Sequence, residues 1–145
     1  MILVDASLLF YAANRAAPEH GPARNWLDGR LSASASVGFP WMALLGFVRL
    51  ASNPAVVRHA VTPAAAMGQV QEWLACAPAW IPHPGPDHAA ILMRLLASPM
   101  MTSRLVPDAH LAALAIEHGL TLCSADGDFA KFPGLRWQNP LAADQ

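Results

Sequence analysis

The residues best placed to do chemistry in this chain are aspartates. Asp5 closes the apolar run MILV, and Asp108 follows Pro107 at the start of an apolar helix. Asp126 and Asp128 stand in SADGDF, just beyond the apolar run Thr121–Cys123. Taken singly, each has a plain structural role, because aspartate favours helix caps and turns. Taken together they mean more. If the apolar runs are parallel strands, strand ends and helix starts share one edge of the sheet. Carboxylates crowded there repel one another unless a cation joins them. Hard oxygen ligands select Mg²⁺ or Mn²⁺. A divalent cation held with an open side suits phosphodiester hydrolysis, by activating water and polarising phosphate.

The elements that must position these acids are short apolar runs alternating with helical segments. MILV reads as a buried strand, followed by a helix through SLLFYAANR with Ser7 as its cap. PEHGPARNWLDGR reads as a second helix closed by Gly29, and ASVGFP as a second strand. The helix WMALLGFVRL gives out near Asn53-Pro54, and Thr62-Pro63 opens the next one. AWIP is strand-sized, DHAAILMRLLAS is helical from Pro86 or Asp87, and DAHLAALAIEH is a helix stopped by Gly119. TLCSAD and GLRW supply the last strands. This alternation predicts an α/β fold of three layers, a short parallel sheet covered by helices on both faces. Ligands in such sheets bind beyond the carboxyl ends of the strands.

Composition narrows the class. The chain has 145 residues, 54% of them hydrophobic and 13% charged, which predicts a single domain over 1–145 with a face for a second copy of itself. A net charge of −1 is unlike a general nucleic-acid coat, yet eight of the nine basic residues are arginine and only Lys131 is lysine. Cys76 and Cys123 have no metal-ligand spacing and read as free thiols of a reducing cytoplasm. The N-terminus has no basic region of a signal peptide. The uncharged stretch from Leu31 to Val48 contains three serines, two glycines and Pro40, which argues against a membrane span.

Four segments together resemble one family. ILVDAS, FVRLASNP, VPDAHLAALAIEHG and TLCSADGDFAKFPGLRWQNPL match, in order and spacing, the PIN-domain ribonuclease toxins of the VapC type. The resemblance covers essentially the whole chain. It implies a PIN-like fold, a homodimer, a neutralising antitoxin of the VapB type, and RNA cleavage dependent on Mg²⁺ or Mn²⁺. It also implies that Asp5, Asp108 and Asp126 hold the metal, that Asp128 is a close supporting acid, and that Ser124 is a hydroxyl beside the centre.

One position departs from that pattern. The family usually carries a glutamate where LLGFVR has Gly46, and glycine within a helix costs about 1 kcal/mol relative to alanine. The expectation is that Gly46 replaces a functional acid and weakens the nuclease. The alternative is an inactive module that keeps dimerisation and antitoxin binding. Arg49, one turn on from Gly46, is expected near the acidic centre, to meet phosphate or balance carboxylates. Arg15, Arg24 and Arg104 are further candidates for RNA or antitoxin contacts. A phosphatase of the haloacid dehalogenase class would need a second aspartate at position 7, which is serine. The six histidines form no zinc pattern, and the five tryptophans read as core or dimer contacts.

Overall fold

The computed structural model describes residues 1–142. Five short strands form one parallel sheet: β1 (Ile2–Val4), β2 (Val37–Gly38), β3 (Ala79–Trp80), β4 (Thr121–Cys123) and β5 (Trp137–Gln138). Six helices connect them: α1 (Ala6–Ala13), α2 (His20–Leu31), α3 (Trp41–Ala51), α4 (Pro63–Leu74), α5 (His88–Leu96) and α6 (Val106–His118). The strand order is β3-β2-β1-β4-β5. From β1 the chain builds outward to one side, then returns and builds to the other. The reversal falls between β1 and β4, and α/β sheets bind ligands at such a switch point.

Alternation along the strands sorts side chains to two faces. Ile2 and Val4 join a core with Leu8 and Leu9 of α1, Leu27 of α2, Leu44 and Phe47 of α3, Val70 of α4, and Phe39 just after β2. Leu3 and its register partner Leu122 point the other way, into a core built with Leu95, Leu111 and Leu114 from α5 and α6. Both faces are covered, as the apolar runs required.

Local signals explain some element ends and miss others. The Thr62 hydroxyl accepts from the Ala65 amide, and Pro63 opens α4. Gly119 adopts a left-handed φ of 67° and closes α6. Gly29 does not close α2, which runs through it to Leu31; its φ is ordinary, so nothing there turns the chain. Ser7 is not the cap of α1, since Asp5 holds that position and makes no side-chain capping bond. The helix carrying Asp108 begins two residues early, at Val106, with Pro107 in its first turn. Asp108 is therefore inside the first turn instead of at the cap. The last strand is Trp137–Gln138, a short step beyond most of GLRW.

Candidate acidic active site

Strand direction places the acids. Asp5 directly follows β1, and Asp126 follows β4, the strand paired with it. They flank the switch point of the sheet. Asp108 enters from the first turn of α6, whose positive N-terminal end favours a carboxylate. Among the described residues, Asp108, Asp126 and Asp128 each offer a carboxylate oxygen, and these oxygens all lie within 4.8 Å of one another. Asp5 lies outside that trio, but its charge acts on Asp108.

Hydroxyl groups hold Asp5 in place. Ser124, which has 0% exposure, donates to Asp5 Oδ2 at 2.8 Å. The same hydroxyl accepts from the Asp126 amide at 3.0 Å. Ser7 Oγ lies 3.4 Å from Asp5 Oδ2 and 3.3 Å from Ser124 Oγ, and it accepts from the Ala125 amide at 3.3 Å. The ends of β1 and β4 are thus tied through two serines. The indole of Trp137 extends this support by donating to the Ser124 carbonyl at 3.1 Å.

Burial and mutual repulsion set the charge states. Burial pushes the Asp5 carboxyl up, against the pull of the Ser124 hydroxyl, the Ala6 amide and the Ser7 hydroxyl. Burial, then the charges of Asp126, Asp5 and Asp128, push Asp108 up to about 6. Asp128 behaves oppositely. Arg104 donates to its Oδ2 at 2.8 Å, and Lys131 Nζ stands 2.9 Å from its Oδ1. These cations, Arg104 first, hold its carboxyl below the ordinary carboxylate range.

The donor set fits a divalent cation. It offers hard oxygens only, and Asp108, raised first by burial, also feels the like charges of Asp126, Asp5 and Asp128, a repulsion of the kind such an ion removes. Asp126 Oδ1 is engaged by the Asp128 amide at 2.9 Å, which orients that carboxylate.

Gly46 faces Ala6, the residue after Asp5; a Cβ at position 46 would lie 3.1 Å from the Ala6 Cβ. The guanidinium of Arg49, an exposed residue, makes no hydrogen bond or ion pair among the described residues. The cations at the centre are Arg104 and Lys131. Two participants escaped the sequence reading. Ser7 reads as a helix cap in the sequence, although its spacing of two from Asp5 is a signal for the site. Lys131 was passed over, although it is the sole lysine and stands three residues after Asp128.

Comparisons with known proteins show the family and the fold. A family model for the PIN domain matches residues 2–135. Ribonuclease VapC37 of Mycobacterium tuberculosis is 45% identical over 142 residues, covering 98% of this chain and 99% of the relative. Ribonuclease VapC33 of the same species is 35% identical, covering 97% and 99%. VapBC2 of Rickettsia felis, bound to a DNA fragment from its promoter, aligns with a TM-score of 0.67 at 16% identity, over 96% of this chain and 98% of the matched one. The sarcin-ricin loop cleaving toxin VapC20 of M. tuberculosis aligns with a TM-score of 0.66 at 21% identity, over 94% and 99%. The α/β architecture is that of a PIN domain. The chain belongs to the PIN-domain family, among the ribonuclease toxins of the VapC type.

Proposed function

We propose that this chain is the toxin of a VapBC-type pair and hydrolyses RNA phosphodiesters with Mg²⁺ or Mn²⁺ at the acidic centre. The observation that carries this reading is the convergence of Asp108, Asp126 and Asp128, with the charge of Asp5 acting on Asp108. Asp5, Asp108 and Asp126 are the residues that would hold the ion. When bound, it supplies compensating positive charge and Lewis-acid activation of water and phosphate. The serine pair keeps Asp5 aimed at the centre, and the Asp128 amide keeps Asp126 aimed there. One of these carboxylates orients the attacking water and takes its proton as phosphorus is approached in line. The products then carry 5′-phosphate and 3′-hydroxyl ends.

The partner is a VapB-type antitoxin. Its seat is an apolar groove of about 790 Å³ between α1, α3 and α4, lined by Phe10, Phe47, Val56, Val57 and Val61 with Arg58 at hand. A helix with an apolar face fits such a groove. A homodimer is supported by the exposed side chains of Trp41, Met42 and Leu45 on α3. No helix among the described residues is long and apolar enough to cross a membrane.

Gly46 leaves the centre one carboxylate short of the family pattern, so the reading includes a weakened rate. The test is a paired assay on total RNA. The chain and its Gly46→Glu variant, each freed of antitoxin, are incubated with Mg²⁺, Mn²⁺ or EDTA. Metal-dependent cleavage by both, faster for the variant, is the expected result. Equal cleavage would mean that the aspartates suffice and that Gly46 serves packing alone. No cleavage by either, with both folded, would favour an inactive module that binds antitoxin.

A further inference from the structure

Asp128 is engaged differently from its neighbours. Arg104 Nη1 is 2.8 Å from one of its oxygens, and Lys131 Nζ is 2.9 Å from the other. The two cations come from distant parts of the chain. Arg104 sits in the 3-10 turn Ser103–Leu105 before α6, and Lys131 ends the 3-10 turn Gly127–Lys131 after β4. One carboxylate thus gathers the only lysine of the chain and one of its arginines at the rim of the acidic trio.

Neither cation is used up by that carboxylate. A guanidinium has five N–H donors and an ammonium three. The Arg104 side chain is 68% exposed and Lys131 35%, so donors remain turned to solvent. An RNA strand approaching four aspartates meets like charge, and this pair of cations offsets it. A planar fork beside a point charge suits the two non-bridging oxygens of a phosphate.

We propose that Arg104 and Lys131, held by Asp128, form a clamp for the RNA phosphate next to the one being cleaved, and that Asp128 anchors these cations instead of binding the metal. This rests on the ribonuclease reading above. It separates two roles within the acidic centre: Asp5, Asp108 and Asp126 on the metal side, Asp128 on the substrate side.

The test measures binding apart from cleavage. Anisotropy of a labelled single-stranded RNA of mixed sequence is followed in EDTA across a salt series. The proteins are the wild type, Arg104→Gln, Lys131→Ala and Asp128→Asn. Glutamine at 104 keeps a donor for Asp128 and removes the charge, so a merely structural role would survive it. Affinity is expected to fall about fivefold to tenfold for Arg104→Gln and less for Lys131→Ala. The slope of log affinity against log salt is expected to shrink by about 0.7 for each. In parallel, the rise in Tm on adding Mg²⁺ is expected to persist in Arg104→Gln and Asp128→Asn. Unchanged RNA affinity and salt slope in both cation variants would overturn the clamp. So would loss of the Mg²⁺ response in Asp128→Asn alongside intact folding. A wild type that cleaves RNA while the variants bind normally defeats the clamp alone. A wild type that neither binds nor cleaves RNA defeats the ribonuclease reading and the clamp with it.

Discussion

Gly46 of α3 and Ala6 of α1 approach so closely that a Cβ on the glycine would stand 3.1 Å from the alanine Cβ. That contact gives the glycine a packing role. Alanine at 46 would gain helix propensity of up to about 1 kcal/mol. It would also overpack the α1–α3 contact, at roughly 1–3 kcal/mol. The expected balance for Gly46→Ala is a loss of about 1 kcal/mol, read as a lower urea midpoint at unchanged slope. Pairing it with Ala6→Gly should recover the contact. A stabilised Gly46→Ala would show that the helices separate freely, and packing would no longer account for the glycine.

Ser124 bridges Asp5 and the Asp126 amide from a fully buried position. Ser124→Ala leaves both partners short of a bond and is expected to cost about 1–2 kcal/mol. It also removes the strongest of the bonds that favour ionised Asp5, so the carboxyl rises further. The acid limb of the cleavage–pH profile should then move to higher pH. Ser124→Thr, which keeps the hydroxyl, is expected to restore the limb even where added volume lowers stability. Coincident profiles for wild type and Ser124→Ala would remove Ser124 from the control of Asp5.

The legible part of this site was its address. Apolar runs named the strands, and the rule for parallel sheets then put Asp5 and Asp126 at one edge. The sharing of Asp128 with Arg104 and Lys131 was not legible, because it depends on how two 3-10 turns far apart in sequence come together. The close approach at Gly46 was hidden for a similar reason. Position 46 reads as an anomaly along the helix, and its partner Ala6 lies on another element. Gly29 reads as a stop signal but is not one, and α2 runs through it to Leu31, since a glycine closes a helix where the chain turns left-handed. Gly119 does so with φ of 67°.

Glu117 ties the loop before α5 to α6. Its two carboxylate oxygens accept from the Gly85 amide at 2.8 Å and the Asp87 amide at 2.9 Å. A Cβ at Gly85 would come within 2.6 Å of Glu117 Oε2, so glycine leaves room for the carboxylate. The Gly85 amide, first of several contributions, holds the carboxyl below its ordinary value of 4.5. A depressed carboxyl adds stability above its unfolded value and loses it as pH falls through the folded one. Glu117→Gln should therefore lower Tm at neutral pH, with the gap from wild type closing as pH falls below the ordinary value of 4.5 and through the depressed folded one. Amide exchange at Gly85 and Asp87 should quicken in the variant. A gap constant with pH would assign the loss to shape instead of charge.

Asp108 points the other way in pH. Its carboxyl is raised from 3.8 to about 6, chiefly by burial and then by Asp126, Asp5 and Asp128. Between those values the folded chain keeps a proton that the unfolded chain releases. Stability from this group therefore falls as pH rises from about 4 to about 6, and stays low above that. The side chain is partly open to solvent, and screening reduces the effect to on the order of 1 kcal/mol. On the proposed metal role of Asp5, Asp108 and Asp126, a divalent cation would bind their ionised carboxylates and reverse the loss by mass action. The Tm of the protein without antitoxin should thus rise with Mg²⁺ by more at pH 7.5 than at pH 5 (both values chosen about the shifted carboxyl). Asp108→Asn is expected to be more stable than wild type in EDTA at neutral pH and to gain little from Mg²⁺. If wild type responds equally to Mg²⁺ at both pH values, the ion is not competing with a proton on Asp108. If Asp108→Asn is destabilised in EDTA, the carboxylate is held by contacts that outweigh its repulsion. The two measurements separate a metal-ligating acid from one that merely sits at the start of a helix.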